Sequence, residues 1–317
     1  MTNGKKYLVT NSKHTVNSMH NIYTKQNTPE FIERFRAQGR TYDQAKNYTQ
    51  YIVLLSLVVA LALSVCSIIF PKNAAVETTS IIYGIISTIV CFILESIRAN
   101  RKSLAARIQQ LIDSELFDLP WERYWGDKPT LDEIQKAARG ESPDRYVNWY
   151  EHAITRVCKE AAVVICFRCN FNYDERLRNK FLTILNTVFW AFIILIALVC
   201  FFADYSFRNI VVNGLVPALP VIMYYVNTVK QLKDDKSTLE KLRSDVITMQ
   251  DNLIAGRYVA KKDYSSIQTL IIRNRESCLD IPTFIYNRYR TANEEDMVTF
   301  ANRLADQFLS NPSLAYE

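Results

Sequence analysis

"FLTILNTVFWAFIILIALVCFFA", residues 181–203, runs for twenty-three residues without a charge. The hydrocarbon core of a bilayer takes about 20 apolar residues of helix, within a range near 17–25. The stretch therefore predicts a membrane-spanning helix. Three more blocks share its character: "YIVLLSLVVALALSVCSIIF" (51–70), "TTSIIYGIISTIVCFIL" (78–94) and "IVVNGLVPALPVIMYYVNTV" (210–229). Four uncharged runs of this length are too many for the core of a soluble protein of 317 residues. The composition agrees: 49% of residues are hydrophobic, yet the mean hydropathy is −0.06, as expected when apolar blocks alternate with polar ones.

The blocks pair into two hairpins, because only residues 71–77 and 204–209 separate them. Each turn holds one basic residue, Lys72 or Arg208, whereas Lys46, Arg98, Arg101, Lys102, Arg176, Arg178, Lys180, Lys230 and Lys233 crowd the opposite flanks. By the positive-inside rule both termini and the middle segment lie in the cytoplasm. The expected fold is an all-α membrane protein of four transmembrane helices in two hairpins, with helical cytoplasmic stalks and a mainly helical cytoplasmic domain. The expected division is an N-terminal helical segment (1–50), hairpin one (51–94), a middle domain (95–180), hairpin two (181–229), then a stalk and C-terminal domain (230–317). With so little chain outside, the protein responds from the inside. The polar first fifty residues hold no cleavable signal peptide.

No ionisable residue lies deep in any block, which argues against a proton relay, a voltage sensor or an ion-coupled transporter. The mildly polar Asn186, Thr187, Asn213 and Asn227 are candidates to line a path or to bond helix to helix. Pro217 and Pro220 in "LVPALP" are candidates for a gate or for simple kinked packing. After the fourth block, Leu232, Leu239, Leu242, Val246, Met249 and Leu253 step by seven, three, four, three and four, a heptad seam. Ile97, Leu104, Ile108 and Leu111 continue the second block in the same way. These stalks pair within the chain or between subunits of a homo-oligomer.

The middle segment carries 15 basic and 14 acidic residues, so no uniform field attracts nucleic acid, and DNA is not an expected partner. "LFDLPWERYWGDKP" reads as an aromatic turn broken by proline. "RYVNWYEHAITRVCKEAAVVICF" reads as one helix that is buried by Ala161–Phe167. Trp121 and Trp125, with Arg168, Asn170, Tyr173, Asp174 and Arg178, are candidates to stack and pair with a nucleotide ligand. Their alternatives are core packing for the tryptophans and, for the run after Cys169, anchorage and capping of the third span.

Cys166 and Cys169 form a C-x-x-C, but with Cys158 and His152 the spacing matches no zinc pattern, and no thioredoxin-like strand adjoins them. Seven cysteines without framework spacing read as free thiols. There is no G-x-S-x-G, H-E-x-x-H or Walker sequence, and only three histidines, so no enzyme and no cofactor is expected.

Taken in order, several stretches resemble one known family. They are "NIYTKQN…FRAQGRTYDQAKNY" before the first block, "IQQLIDSELFDLPWERYWGDKP" after the second, "NWY" (148–150) and "RCNFNYDERLR" in the centre, and "IQTLIIRNRESCLDIPTFIYNRYRTANEEDM" near the end. Together these span about residues 17–300, and the chain resembles the SMODS-associated four-transmembrane effectors of bacterial anti-phage (CBASS-type) signalling. "CLDIP" departs from the family in its less apolar approach to the proline. The resemblance implies a pore-forming effector of the bacterial inner membrane. A cyclic oligonucleotide from a partner nucleotidyltransferase would bind its cytoplasmic part, the pore would form or open, and infection would abort. A membrane-anchored scaffold that recruits a partner and never conducts is the alternative.

Overall fold

The apolar blocks do not end where the hydropathy falls. The computed structural model describes residues 21–59, 61–63, 66, 70, 73–202 and 216–315, with backbone only at 199, 200, 202, 216 and 217. Its helices are α1 (Ile22–Lys25), α2 (Pro29–Val53), α3 (Ala74–Phe117), α4 (Leu131–Ala138), α5 (Lys159–Phe202), α6 (Val216–Ile254), α7 (Lys261–Ser277) and α8 (Thr283–Leu309). Among the described residues the only β pairing is an isolated bridge, Val157 to Ala315. The expected all-α fold is thus observed.

Both α3 and α5 have 44 residues, about 66 Å at 1.5 Å per residue. That is twice the hydrocarbon thickness, so each carries its apolar block and a stalk, which follows the block in α3 and precedes it in α5. Asn73 starts α3 by accepting hydrogen bonds from the N–H groups of Ala75 (3.0 Å) and Val76 (3.4 Å). Asp118, left-handed at φ 61°, ends it, and Leu119 precedes a proline that disfavours further helix. Among the described residues three stretches are long and apolar enough to cross a membrane: Pro29–Leu63, Ala74–Phe117 and Lys159–Leu198. The fourth block begins outside the described residues, and its remainder opens α6. The apolar faces are bare: Phe92 is 79% exposed and Trp190 58%, a surface suited to lipid rather than water. This is a membrane protein.

Within the apolar region, α5 and α6 meet at a stacked pair, Phe189 and Tyr225, with ring centroids 3.7 Å apart. The first block contains a π-helical turn, Leu54–Val59, and Tyr83 of α3 donates a hydrogen bond of 2.8 Å to the Leu55 carbonyl inside it.

Away from the spans the N-terminal, middle and C-terminal segments pack into one hydrophobic core, here called the base. Phe35, Phe167 and Phe308 are fully buried in it, and Phe117 meets Phe167 edge to face at 5.6 Å. The heptad seam of α6 faces this core and a smaller one nearer the spans: Leu232, Leu239, Leu242, Val246, Met249 and Leu253 are all buried. Ile108 and Leu111 of α3 are buried too.

One expected helix is not there. Residues 145–158 form short 3₁₀ turns, and α5 begins only at Lys159. The reason lies in the N-terminal segment. Gln26 accepts from the Tyr150 N–H (2.7 Å) and donates to its carbonyl (3.0 Å). Asn27 accepts from the Asn148 N–H (2.8 Å), and Asn148 adopts φ 56°. Two side chains from another part of the chain thus take the place of helical partners. The "KQN" and "NWY" stretches, 121 and 124 residues apart, are two halves of one contact.

Candidate functional site

Below the apolar region a charged collar ties the helices together. Its centre is the loop between α7 and α8, residues 278–282, "CLDIP". Pro282 ends the loop and N-caps α8, and the residue before a proline is held extended, so the segment crosses the bundle instead of continuing α7.

Side chains from four helices grip this segment. Arg178 of α5, 4% exposed, donates to Asp174 one turn earlier (3.0 Å), to Asp235 of α6 (2.5 Å) and to the Leu279 carbonyl (3.4 Å). Asp235 also accepts from the Leu279 N–H (2.8 Å) and from Gln231 (2.9 Å). On the other side Asp280 accepts from Arg98 (2.8 Å) and Lys102 (2.9 Å) of α3 and from Thr49 of α2 (3.1 Å). Lys102 donates as well to the Cys278 carbonyl. Ile281 and Ile285 close the collar against Leu177, Phe181 and Leu232 in a separate apolar cluster.

The electrostatics follow from burial. Desolvation opposes the Arg178 charge, but the carboxylates of Asp174 and Asp235 outweigh it and raise the guanidinium pKa. Burial likewise opposes ionisation of Asp280. Lys102 and Arg98 prevail there and hold its carboxyl below the usual carboxylate range. A carboxylate whose lone pairs are matched and whose charge is balanced is a lock. What the collar does is hold α2, α3, α5 and α6 in one register within about 12 Å of the apolar blocks, counting 1.5 Å per residue.

With this geometry in hand, comparison with known proteins places the chain. The SMODS-associating 4TM effector domain matches residues 20–304, through every described element as far as the last turns of α8. The chain belongs to this family. A protein of Bacillus cereus (strain VD146) described as a probable CBASS effector molecule is 23% identical over 290 residues, 88% of this chain and 97% of that protein. No solved structure matches the chain.

The seven residues singled out as ligand candidates in this effector fall in four places. Asp174 and Arg178 belong to the collar, with Tyr173 beside it against Tyr286, ring centroids 6.1 Å apart. Neither Asp174 nor Asn170 caps the third block, since both lie inside the continuous α5. Asn170 donates to the Tyr150 hydroxyl (3.4 Å), which in turn donates to Asp113 (2.7 Å) in a buried network with Gln268 and Arg275. Arg168 lies in the groove between α5, α6 and α8. Trp121 and Trp125 sit in the turn after α3. Trp125 is buried and donates to Thr269 (3.0 Å), and Trp121 donates to the Gly126 carbonyl (3.1 Å). The structure therefore does not gather the tryptophans and the α5 arginines into one pocket.

Among the pore candidates, Asn186 of α5 accepts from Tyr225 of α6 (2.9 Å), and Thr187 bonds back to the Thr183 carbonyl (2.9 Å). Asn227 is exposed. Pro220 lies within α6, where it lacks the N–H that would reach Val216, and Pro217 lies in the same helix. Asn213 lies outside the described residues. The six described cysteines are free. Burial pushes the Cys169 thiol up to about 12 and Cys166 well above the thiol range, so both stay protonated. No cluster that could hold a metal ion occurs among the described residues.

Sequence reading missed Asp235, Lys102, Thr49 and Asp280. "QLKDDKS" looks like a solvated charge run, and nothing local marks its second aspartate as the buried one. The polar residue in "CLDIP" was a usable signal: a lone aspartate before a proline, close to the spans.

Proposed function

We infer that this protein is a membrane effector of bacterial anti-phage signalling that forms or opens an inner-membrane pore when a cyclic oligonucleotide binds its cytoplasmic base. Membership of the effector family and the similarity to a probable CBASS effector support the antiviral role. The observation that carries the rest is the collar: one loop from the base is bonded to α2, α3, α5 and α6 just below their apolar blocks. A ligand that favours a second arrangement of the base shifts this loop and with it the helices. Moving the open state from 1% to 99% takes about 5.5 kcal/mol of differential binding. Two to four charge-assisted phosphate contacts, about 1.5–3 kcal/mol each, are of that size.

The test uses the full chain in dye-loaded liposomes with a panel of cyclic di- and trinucleotides. Release of dye with one member of the panel, and none with its linear form, is the expected result. Intact liposomes at saturating, demonstrated binding would instead favour a non-conducting scaffold.

A further inference from the structure

Half-way along the buried part of α5, Arg168 has unusual company for a half-buried guanidinium. It donates to the Gln250 side-chain carbonyl of α6 (2.5 Å), and Gln250 is fixed in turn by donating to Gln307 of α8 (2.9 Å). The ring of Phe300, also on α8, lies 5.6 Å from the guanidinium carbon. Two turns along the same groove, Arg243 of α6 is paired with Glu175 of α5. The exposed carboxylate of Asp251 favours the Arg168 charge without touching it.

The geometry points to a seat for a phosphate group between Arg168 and Arg243, in the groove where α5, α6 and α8 meet. Both guanidinium groups carry forks suited to two phosphate oxygens, and Gln250 holds the Arg168 fork in place before any anion arrives. At Arg168 an anion entering there supplies the negative charge that the neutral amide and ring do not, and at Arg243 it takes the place of the Glu175 carboxylate. Burial, with the Arg243 charge added at Arg168, pushes both arginine pKa values down, opposite to Arg178, Arg275 and Arg290. A lipid headgroup is a poor occupant, because Arg168 stands thirteen residues before Phe181, about 20 Å along the helix. As the phosphate of the cyclic oligonucleotide signal, the occupant rests on the function inferred above. Arg178 lies about 15 Å further along the same unbroken helix, so ligand and collar share one rigid element.

The probe is inorganic diphosphate, added to the full chain in phosphatidylcholine nanodiscs, with ligand-induced thermal stabilisation as the readout. Wild-type protein is stabilised in a saturable way. Arg168→Gln weakens diphosphate about tenfold or more. Arg243→Gln combined with Glu175→Gln, which strands neither partner, does the same, while Arg168→Lys falls between. The proposal is overturned if wild type shows no stabilisation, if the variants bind as wild type does, or if binding appears only with phosphatidylglycerol in the disc. The dye-release assay separates this from the pore reading. A cyclic oligonucleotide that opens wild-type and Arg168→Gln liposomes at equal concentration removes the seat and leaves the pore. Liposomes that stay intact while diphosphate still distinguishes the variants remove the pore and leave the seat.

Discussion

Arg168 and Arg178 stand ten residues apart on α5 and meet opposite surroundings. Arg178 is buried between Asp174 and Asp235 and holds a backbone carbonyl as well. Arg168 is bonded to a neutral amide and covered by a phenyl ring. One is paired with two carboxylates and the other is bonded to an uncharged amide. The same residue type, on the same helix, thus serves as a lock near the spans and is the proposed anion seat in the base. What separates them is where the carboxylates of α5 and α6 fall.

The largest effect should come from breaking the lock. Arg178→Ala strands two carboxylates, and losing one side of a buried ion pair costs about 3–5 kcal/mol. Thermal unfolding of the purified protein should show a large drop. Arg178→Met with Asp235→Leu should recover much of it. Equal losses in the single and double variants would mean that the pairing is not what the collar contributes.

Acid should act on the same element. The Asp280 carboxyl is held below its ordinary value, so its stabilisation is complete above about pH 4, the unfolded value. It is lost as pH falls through the folded value. The melting temperature of wild type should fall more steeply than that of Asp280→Asn between pH 5 and pH 3, and parallel curves would remove Asp280 from the lock.

A smaller effect is expected between the spans. Tyr225→Phe deletes the hydrogen bond to Asn186 but keeps the stacked ring, and such bonds are worth about 0.6 kcal/mol in membrane helices. A double-mutant cycle with Asn186→Ala measures it, and a coupling above about 2 kcal/mol would place the contact between α5 and α6 on a par with the collar. The smallest effect belongs to Arg168. Without an anion, Arg168→Gln should leave stability within about 0.5 kcal/mol of wild type, because no carboxylate loses its partner. A loss like that of Arg178→Ala would erase the contrast between the two arginines.

Much of the architecture was legible in the chain. Uncharged runs of about 20 residues and a seven-residue period are local patterns, and the long α3, α5 and α6 follow from them. The buried stretch 161–167 was legible for the same reason. The helix expected over 145–158 was not observed, because Gln26 and Asn27 draw Asn148 and Tyr150 into another backbone path. The candidate site was half legible. Asp174 and Arg178 were singled out as ligand contacts or as a cap and an anchor, and the structure pairs them with each other, four apart on one helix. Trp121 and Trp125 look the same in sequence whether they face a ligand or, as Trp125 does, the core.

Hydropathy and helical period act over a few turns, so the sequence by itself determined the apolar blocks, the stalks and the family. Which charges meet was decided only by the tertiary structure. Arg178 finds Asp235 57 residues away, and Arg98 finds Asp280 182 residues away. Each of these carboxylates reads as an ordinary surface charge until the helices are set in register. Burial then makes a matched charge a lock, and an unmatched one is the seat proposed for an anion.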